Sequence, residues 1–191
     1  LTIILKRNDP TSAAKQVSLT ELGSIKINKE ERTKMYKTIP RSSVIGFLIG
    51  VLPGAGATIA SFLAYGMERN VVSDEEKEKF GKGSVNGLSA PETANNAACS
   101  GSFVPMLTLG IPGSGTTAVM LGALLGFGVQ PGPRLYMTNP EIFWSIIMSM
   151  YIGMVILLIL NLPLIPYIAR ILAVPKNYLI PLILFFSVTG I

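Results

Sequence analysis

The chain alternates between polar stretches and long apolar ones, and the apolar stretches are too long and too uniformly hydrophobic for strands. Residues 1–41 are polar and basic. Ser42 to Gly66 then reads SSVIGFLIGVLPGAGATIASFLAYG, an apolar run interrupted at its middle by Pro53, Gly54 and Gly56. Proline removes a backbone donor and the glycines lower the cost of leaving helical geometry, so the helix must break there. Two arrangements satisfy this pattern: one kinked spanning helix, or a hairpin of half-helices with PGAG at its tip. The charge on both flanks favours the hairpin, because residues 67–90, a charged loop and helix entry containing VVSDEEKEKFGK, resemble the preceding basic flank in character.

Residues 91–130 predict a second discontinuous helix. Pro91 suits a helix first turn, which would put Glu92, Asn95 and Asn96 on one face at i, i+3 and i+4. Glu92 in that position either lines a path or marks the helix start. A break at Pro112-Gly113-Ser114-Gly115 follows, and TTAVMLGALLGFG resumes the helix. Gln130 to Pro140 is turn material. Residues 141–160 form a spanning helix of twenty residues, ~30 Å at 1.5 Å per residue. Asn161 to Lys176, punctuated by prolines, reads as an interfacial connection, and residues 176–191 as a helix cut short. The expected fold is an all-α membrane protein, a polytopic helical bundle with re-entrant or discontinuous helices. Leu1 opens the chain without a methionine and Ile191 closes it inside an apolar run, so a fragment of a longer protein is expected.

Composition sharpens this picture. Hydrophobic residues are 49% of the chain, charged residues 14%, and the mean hydropathy is +0.51, against roughly 25% charge in soluble domains. Of the 16 Lys and Arg residues 13 lie at or before Lys82, as do 9 of the 11 acids. The net charge of +5 therefore describes a basic flank, cytoplasmic by the positive-inside rule. Aromatic residues are not interleaved with these cations, which argues against a nucleic-acid surface. There is no His, and the single Cys99 reads as a small packing residue, so neither a disulfide framework nor a catalytic metal site is expected. Gly110 to Thr117 has the glycine spacing of a phosphate loop, but Thr116 stands where the lysine is required. Gly46 with Gly50, and Gly122 with Gly126, have the spacing of close helix packing.

The chemistry concentrates at the two breaks. Pro53-Gly54-Ala55-Gly56-Ala57-Thr58 and Pro112-Gly113-Ser114-Gly115-Thr116-Thr117 agree at four of six positions, 59 residues apart. Unwound backbone at membrane depth leaves polar groups that only protein or a polar cavity can satisfy. A half-helix N-terminus offers free N–H groups to a carboxylate, and exposed carbonyls suit a small cation. Thr58, Ser114, Thr116 and Thr117 add hydroxyls, and Asn95 and Asn96 add amides. Residues 83–130 hold no Lys or Arg, so a bound anion would need helix ends and a co-bound cation. The competing interpretation is that the breaks are kinks whose hydroxyls bond back to their own helices.

The segments GFLIGVLPGAGATIASFLAYGMER, FGKGSVNGLSAPETANNAA, PMLTLGIPGSGTTAVMLGALL and QPGPRLY resemble the large integral membrane subunit of the tripartite tricarboxylate transporter family. The resemblance implies a permease subunit, multi-pass in the bacterial cytoplasmic (inner) membrane, of which this chain would be half of an inverted-repeat secondary transporter. It also implies a small membrane subunit, an extracytoplasmic substrate-binding protein, and uptake of tricarboxylates or related small carboxylates coupled to Na⁺ or H⁺, with no cofactor and no enzymatic activity. Pro53 to Thr58, Asn95, Asn96 and Pro112 to Thr117 would form this half of the substrate and ion site. Asn86, where an acid is expected in many relatives, is a departure, as are Thr93 and Cys99. The alternatives from other classes are a non-transporting membrane scaffold and a passive anion channel.

Overall fold

The computed structural model describes residues 27–171 and 176–190, and every regular element among them is a helix. The chain falls into two compact units, one of residues 27–149 and one whose described part begins at Met150.

The first unit opens with α1, Lys29–Val51. Asn28 caps it: its Oδ1 accepts from the Glu31 N–H at 2.8 Å, while the Glu31 carboxylate accepts from the Asn28 N–H at 2.9 Å. This reciprocal box, with Glu30 and Glu31 complementing the helix dipole, fixes the start. The helix thus begins within the basic flank expected to be a loop through residue 41; residues 1–26 of that flank lie outside the described residues. The end follows from Pro53, which pushes its predecessor out of the helical region, and Leu52 is extended at φ −76°, ψ 120°. Gly54 and Gly56, at φ 79° and 68°, turn the chain through conformations a side chain would disfavour.

Helix α2, Gly56–Val71, then runs antiparallel to α1. Glu68, near its end, accepts from Thr38 and from Arg41, both at 2.8 Å. These contacts hold the far ends of α1 and α2 together, with Pro53–Ala55 at the turn between them. After the short α3, Asp74–Lys77, comes α4, Val85–Gly101, capped by the Ser84 hydroxyl, which accepts from the Gly87 N–H at 3.0 Å. Pro91 is therefore inside the helix, not at its first turn as expected; an earlier cap outcompeted the proline signal.

Helices α1 and α4 run parallel at a fixed offset of 48 residues. Asn86 donates to Thr38 at 2.8 Å; two and three four-residue steps further on, Gly46 meets Ala94 and Gly50 meets Ala98 so closely that a Cβ on either glycine would overlap the opposing carbonyl. A buried row recurs every fourth position on all three helices: Thr38, Ser42, Gly46 and Gly50 on α1; Ala60, Ala64 and Glu68 on α2; Asn86, Ala90, Ala94 and Ala98 on α4, with Ser89 and Gly101 buried beside that last row. This is packing by backbone approach across small residues, the mode used where water supplies no drive for association. The second glycine pair differs, since Cβ atoms at Gly122 and Gly126 would meet nothing within 4 Å.

Beyond Ser102, α5, Phe103–Leu109, ends at Gly110, whose left-handed φ of 70° lets its N–H reach the Met106 carbonyl at 3.1 Å. The break at 111–114 leads to α6, Gly115–Gly126, and the short α7, Leu135–Thr138. Met106, Leu107, Val129 and Leu135 form a second, bulkier core with Phe103, Leu121, Leu124, Phe143 and Ile147 against it. Helix α8, Pro140–Ile171, starts with proline at its first position, where the missing N–H costs nothing.

In α8, Pro140–Ile165 is the candidate span: 26 residues of mean hydropathy 2.4, none buried. Among the described residues it is the one helix long and apolar enough to cross a membrane. The interfacial connection expected from Asn161 onward is replaced, as far as Ile171, by continued helix through Pro163 and Pro166. In the second unit α9, Lys176–Thr189, completes the described chain.

The 72–84 loop is stapled to α1. Glu76, 8% exposed, accepts from Lys34 at 3.1 Å, Ser84 at 3.0 Å and Lys79 at 3.5 Å, and Tyr65 packs edge-on against Phe80 at 5.2 Å. Burial alone would push the Glu76 carboxyl up, but the hydrogen bonds and charges of Lys34, Ser84 and Lys79 outweigh it and hold the group below its ordinary value. Lys34 is raised by its hydrogen bonds to Glu30 and Glu76.

Two outcomes follow. Gly46→Ala should destabilise the detergent-solubilised full-length protein by about 1–3 kcal/mol, because the α1 and α4 backbones must separate; Gly66→Ala, facing open space, should be neutral or stabilising by up to about 1 kcal/mol in the same thermal unfolding measurement. Because Glu76 is depressed on folding, the stability it contributes is present above its unfolded value of about 4.3 and is lost as pH falls through the lower folded value. Lys34, raised on folding, contributes below its unfolded value and loses that as pH rises through the folded one. Melting curves of parent and Glu76→Gln should therefore differ at neutral pH and converge in acid; a gap that persists there would show that the staple acts through packing instead.

Candidate functional site

The first break joins α1 to α2 without a capping side chain: Ala55 stands at the α2 N-cap position, so the first N–H groups of α2 are left to other partners. Pro53, Gly54 and Thr58 are exposed, while Ala55, Gly56 and Ala57 are half-buried. At the second break Gly113 is buried, Pro112 and Ser114 are half-buried, and Gly115 and Thr116 are exposed. Ser114 and Thr117 are already committed to each other. The Thr117 hydroxyl accepts from the Ser114 N–H at 2.8 Å, the Ser114 hydroxyl accepts from the Thr117 N–H at 3.3 Å, and the two hydroxyls lie 3.1 Å apart. With Thr117 1% exposed, this pair caps α6, and Thr58 and Thr116 are the break hydroxyls that face outward.

The fold brings the two breaks to one end of the three-helix packing. A Cβ on Gly113 would stand 2.9 Å from the Ser102 Cβ and 3.3 Å from the Gly50 carbonyl oxygen, and Gly50 lies in the last turn of α1. The ends of α1 and α4 and the starts of α2 and α6 therefore meet in one region. Two helix N-termini there each carry partial positive charge. The ends of α1 and α4 add carbonyls.

Asn95 and Asn96 are separated by the helix they share. Asn95, half-buried, donates to the Ser61 hydroxyl at 3.3 Å, and Ser61 donates to the Ala57 and Pro91 carbonyls at 2.9 and 3.2 Å. This chain ties α4 to the first turns of α2. Asn96 is exposed and donates to the Glu92 carbonyl of its own helix at 3.0 Å; the structure does not bring it to Asn95's partners. Glu92 is exposed in mid-helix, as is Cys99 further along.

A second polar cluster, absent from the sequence reading, occupies the other end of the same packing. Glu68 is fully buried, and its Oε1 accepts from the Thr38 hydroxyl at 2.8 Å, the Arg41 guanidinium at 2.8 Å and the Asn86 amide at 3.2 Å. A carboxylate costs several kcal/mol to bury unless paired and hydrogen-bonded, and here donors from α1 and α4 supply both. The signal was the four-residue recurrence of Ala60 and Ala64, which carries Glu68 to the buried face.

The family model described as "Tripartite tricarboxylate transporter TctA family" matches residues 1–191. A protein of Agrobacterium vitis, "Uncharacterized 52.8 kDa protein in TAR-I ttuC' 3'region", is 39% identical over 184 residues, covering 96% of this chain and 36% of its own length. A second, "Uncharacterized protein in TAR-II ttuC' 3'region", from Agrobacterium vitis, is 45% identical over 145 residues, 76% of this chain and 59% of its own. The chain thus spans less than two thirds of either relative. No solved structure matches. The motifs around the two breaks and the match along the whole chain lead to one conclusion: the chain belongs to the tripartite tricarboxylate transporter TctA family.

Proposed function

We propose that this chain is part of the permease subunit of a cation-coupled, binding-protein-dependent secondary transporter for tricarboxylates or related small carboxylates. Membership in a transporter family, which is not an enzyme class, and one long apolar helix support a transport component of a membrane. The observation that carries the finer reading is the meeting of two Pro-Gly breaks at one end of the small-residue packing.

In this reading the uncapped start of α2 and the start of α6 offer N–H groups to a carboxylate, with Thr58 and Thr116 beside them. Pro53 to Ala57 and Pro112 to Gly115 hold the backbone open, while Thr117 and Ser114 set the α6 start. Asn95 fixes α4 against the first turns of α2, and Asn96 remains a weaker candidate, turned toward its own helix. The coupling ion in this reading is Na⁺, with H⁺ as the alternative. The hairpin of α1 and α2 would re-enter the membrane from the cytoplasmic side, and a related unit elsewhere in the longer subunit would complete an inverted repeat. The small membrane subunit and the extracytoplasmic binding protein would complete the system in the inner membrane.

Uptake of radiolabelled citrate by the full-length subunit with its partners tests this. Thr58→Val should lower ion-driven uptake by about tenfold or more, the loss of roughly one charged hydrogen bond, and Asn95→Ala should lower it by freeing α4 from the first turns of α2, both with unchanged membrane insertion. Uptake at the parent rate in both variants would remove the breaks from the substrate path.

A further inference from the structure

We infer that the buried cluster around Glu68 is a binding site for a monovalent cation. All protein donors reach one oxygen of the carboxylate: Thr38, Arg41 and Asn86 converge on Oε1, and Oε2 accepts from none. The Asn86 amide is held in one orientation because its Nδ2 donates both to Thr38 and to Glu68; the reverse orientation would set its carbonyl against the carboxylate. Its Oδ1, a pure acceptor, is buried without a protein donor. The Ser42 and Ser89 hydroxyls are likewise buried and unpartnered, although Thr38 and Ser61 on the neighbouring faces bond back to their own helices.

These four oxygens come from three helices, and their residues are at most 9% exposed. Glu68 and Asn86 share one level of the packing, and Ser42, four residues after Thr38, and Ser89, three after Asn86, each lie about one turn nearer the breaks along their helices. Buried acceptors without donors each cost on the order of 1–3 kcal/mol, and none of the four has a protein partner. One carboxylate oxygen, one amide oxygen and two hydroxyls are hard ligands, the set that suits alkali cations. Charge decides the valence: Arg41 already neutralises Glu68, so a divalent ion would leave a large uncompensated charge in a buried place. Arg41 is also the cationic group facing the cluster. Its Nε is the unpartnered donor there, and its charge holds the cation's affinity down.

The inference rests on the permease reading for its meaning, since it names where the coupling cation is held. Its test needs no carboxylate, so its failure is distinguishable from failure of the uptake variants. Thermal unfolding of the full-length subunit in detergent is followed as NaCl replaces choline chloride at constant ionic strength, with KCl as a further arm. Na⁺ should raise the parent's melting temperature in a saturable way. Ser42→Ala, which removes one ligand and leaves the small-residue packing intact, and Glu68→Gln should each raise the half-saturating Na⁺ concentration by about tenfold or more, while Arg41→Gln should lower it. Coincident Na⁺ and choline curves for the parent would overturn the site and leave the cluster as a place for water. A Na⁺ response unchanged in Ser42→Ala and Glu68→Gln would overturn it equally, by locating the cation elsewhere.

Discussion

The backbones of α1 and α4 lie against each other with no side chain between them, and most of the first unit is arranged around that contact. Gly46 and Gly50 meet the carbonyls of Ala94 and Ala98, which admits nothing larger than hydrogen at those α1 positions. Because a buried row recurs every fourth position on α1, α2 and α4, three helices share one narrow seam built almost without large side chains. Such a seam gains little from apolar burial and depends on close fit and on polar ties at its ends. Glu68 supplies the tie at one end. Asn95 and Ser61 supply another nearer the breaks.

This division of labour explains where the polar groups sit. A chain whose seam is made of Gly and Ala can hold polar side chains only where the geometry satisfies them, and the structure concentrates them in two places. One is the buried carboxylate with its donors. The other is the meeting of unwound segments, where the main chain itself is the polar group. The bulkier core of α5, α6, α7 and the start of α8 packs by conventional apolar contact around Met106 and Leu135, and it carries the second break to the last turn of α1.

Much of this was legible along the chain, for physical reasons that differ from element to element. Proline and glycine act locally, so the breaks after Val51 and after Leu109 follow from Pro53, Gly54, Gly110 and Pro112 alone. The start of α8 at Pro140 is of the same kind. Three elements were read differently because a tertiary or capping interaction outweighed the local signal. The Asn28–Glu31 box and the Lys34–Glu76 pair draw basic residues into α1, Ser84 starts α4 ahead of Pro91, and α8 continues past Pro163 and Pro166. Ser114 and Thr117, read as free hydroxyls, cap a helix; such pairing depends on backbone geometry that residue type does not disclose. Glu68 was hidden because a single acid beside Arg69 looks like solvated flank until the three helices are assembled.

The parallel, constant offset between α1 and α4 also limits how the two can move past each other. Glycine on α1 opposes alanine on α4 every four residues, and that repeat rises about 6 Å along a helix. A shift of one repeat toward the α4 C-terminus would bring Ser42 opposite Ala94, where a Cβ cannot fit. The glycines therefore act as a key for a single register, and in that direction the two helices can change places only by first moving apart.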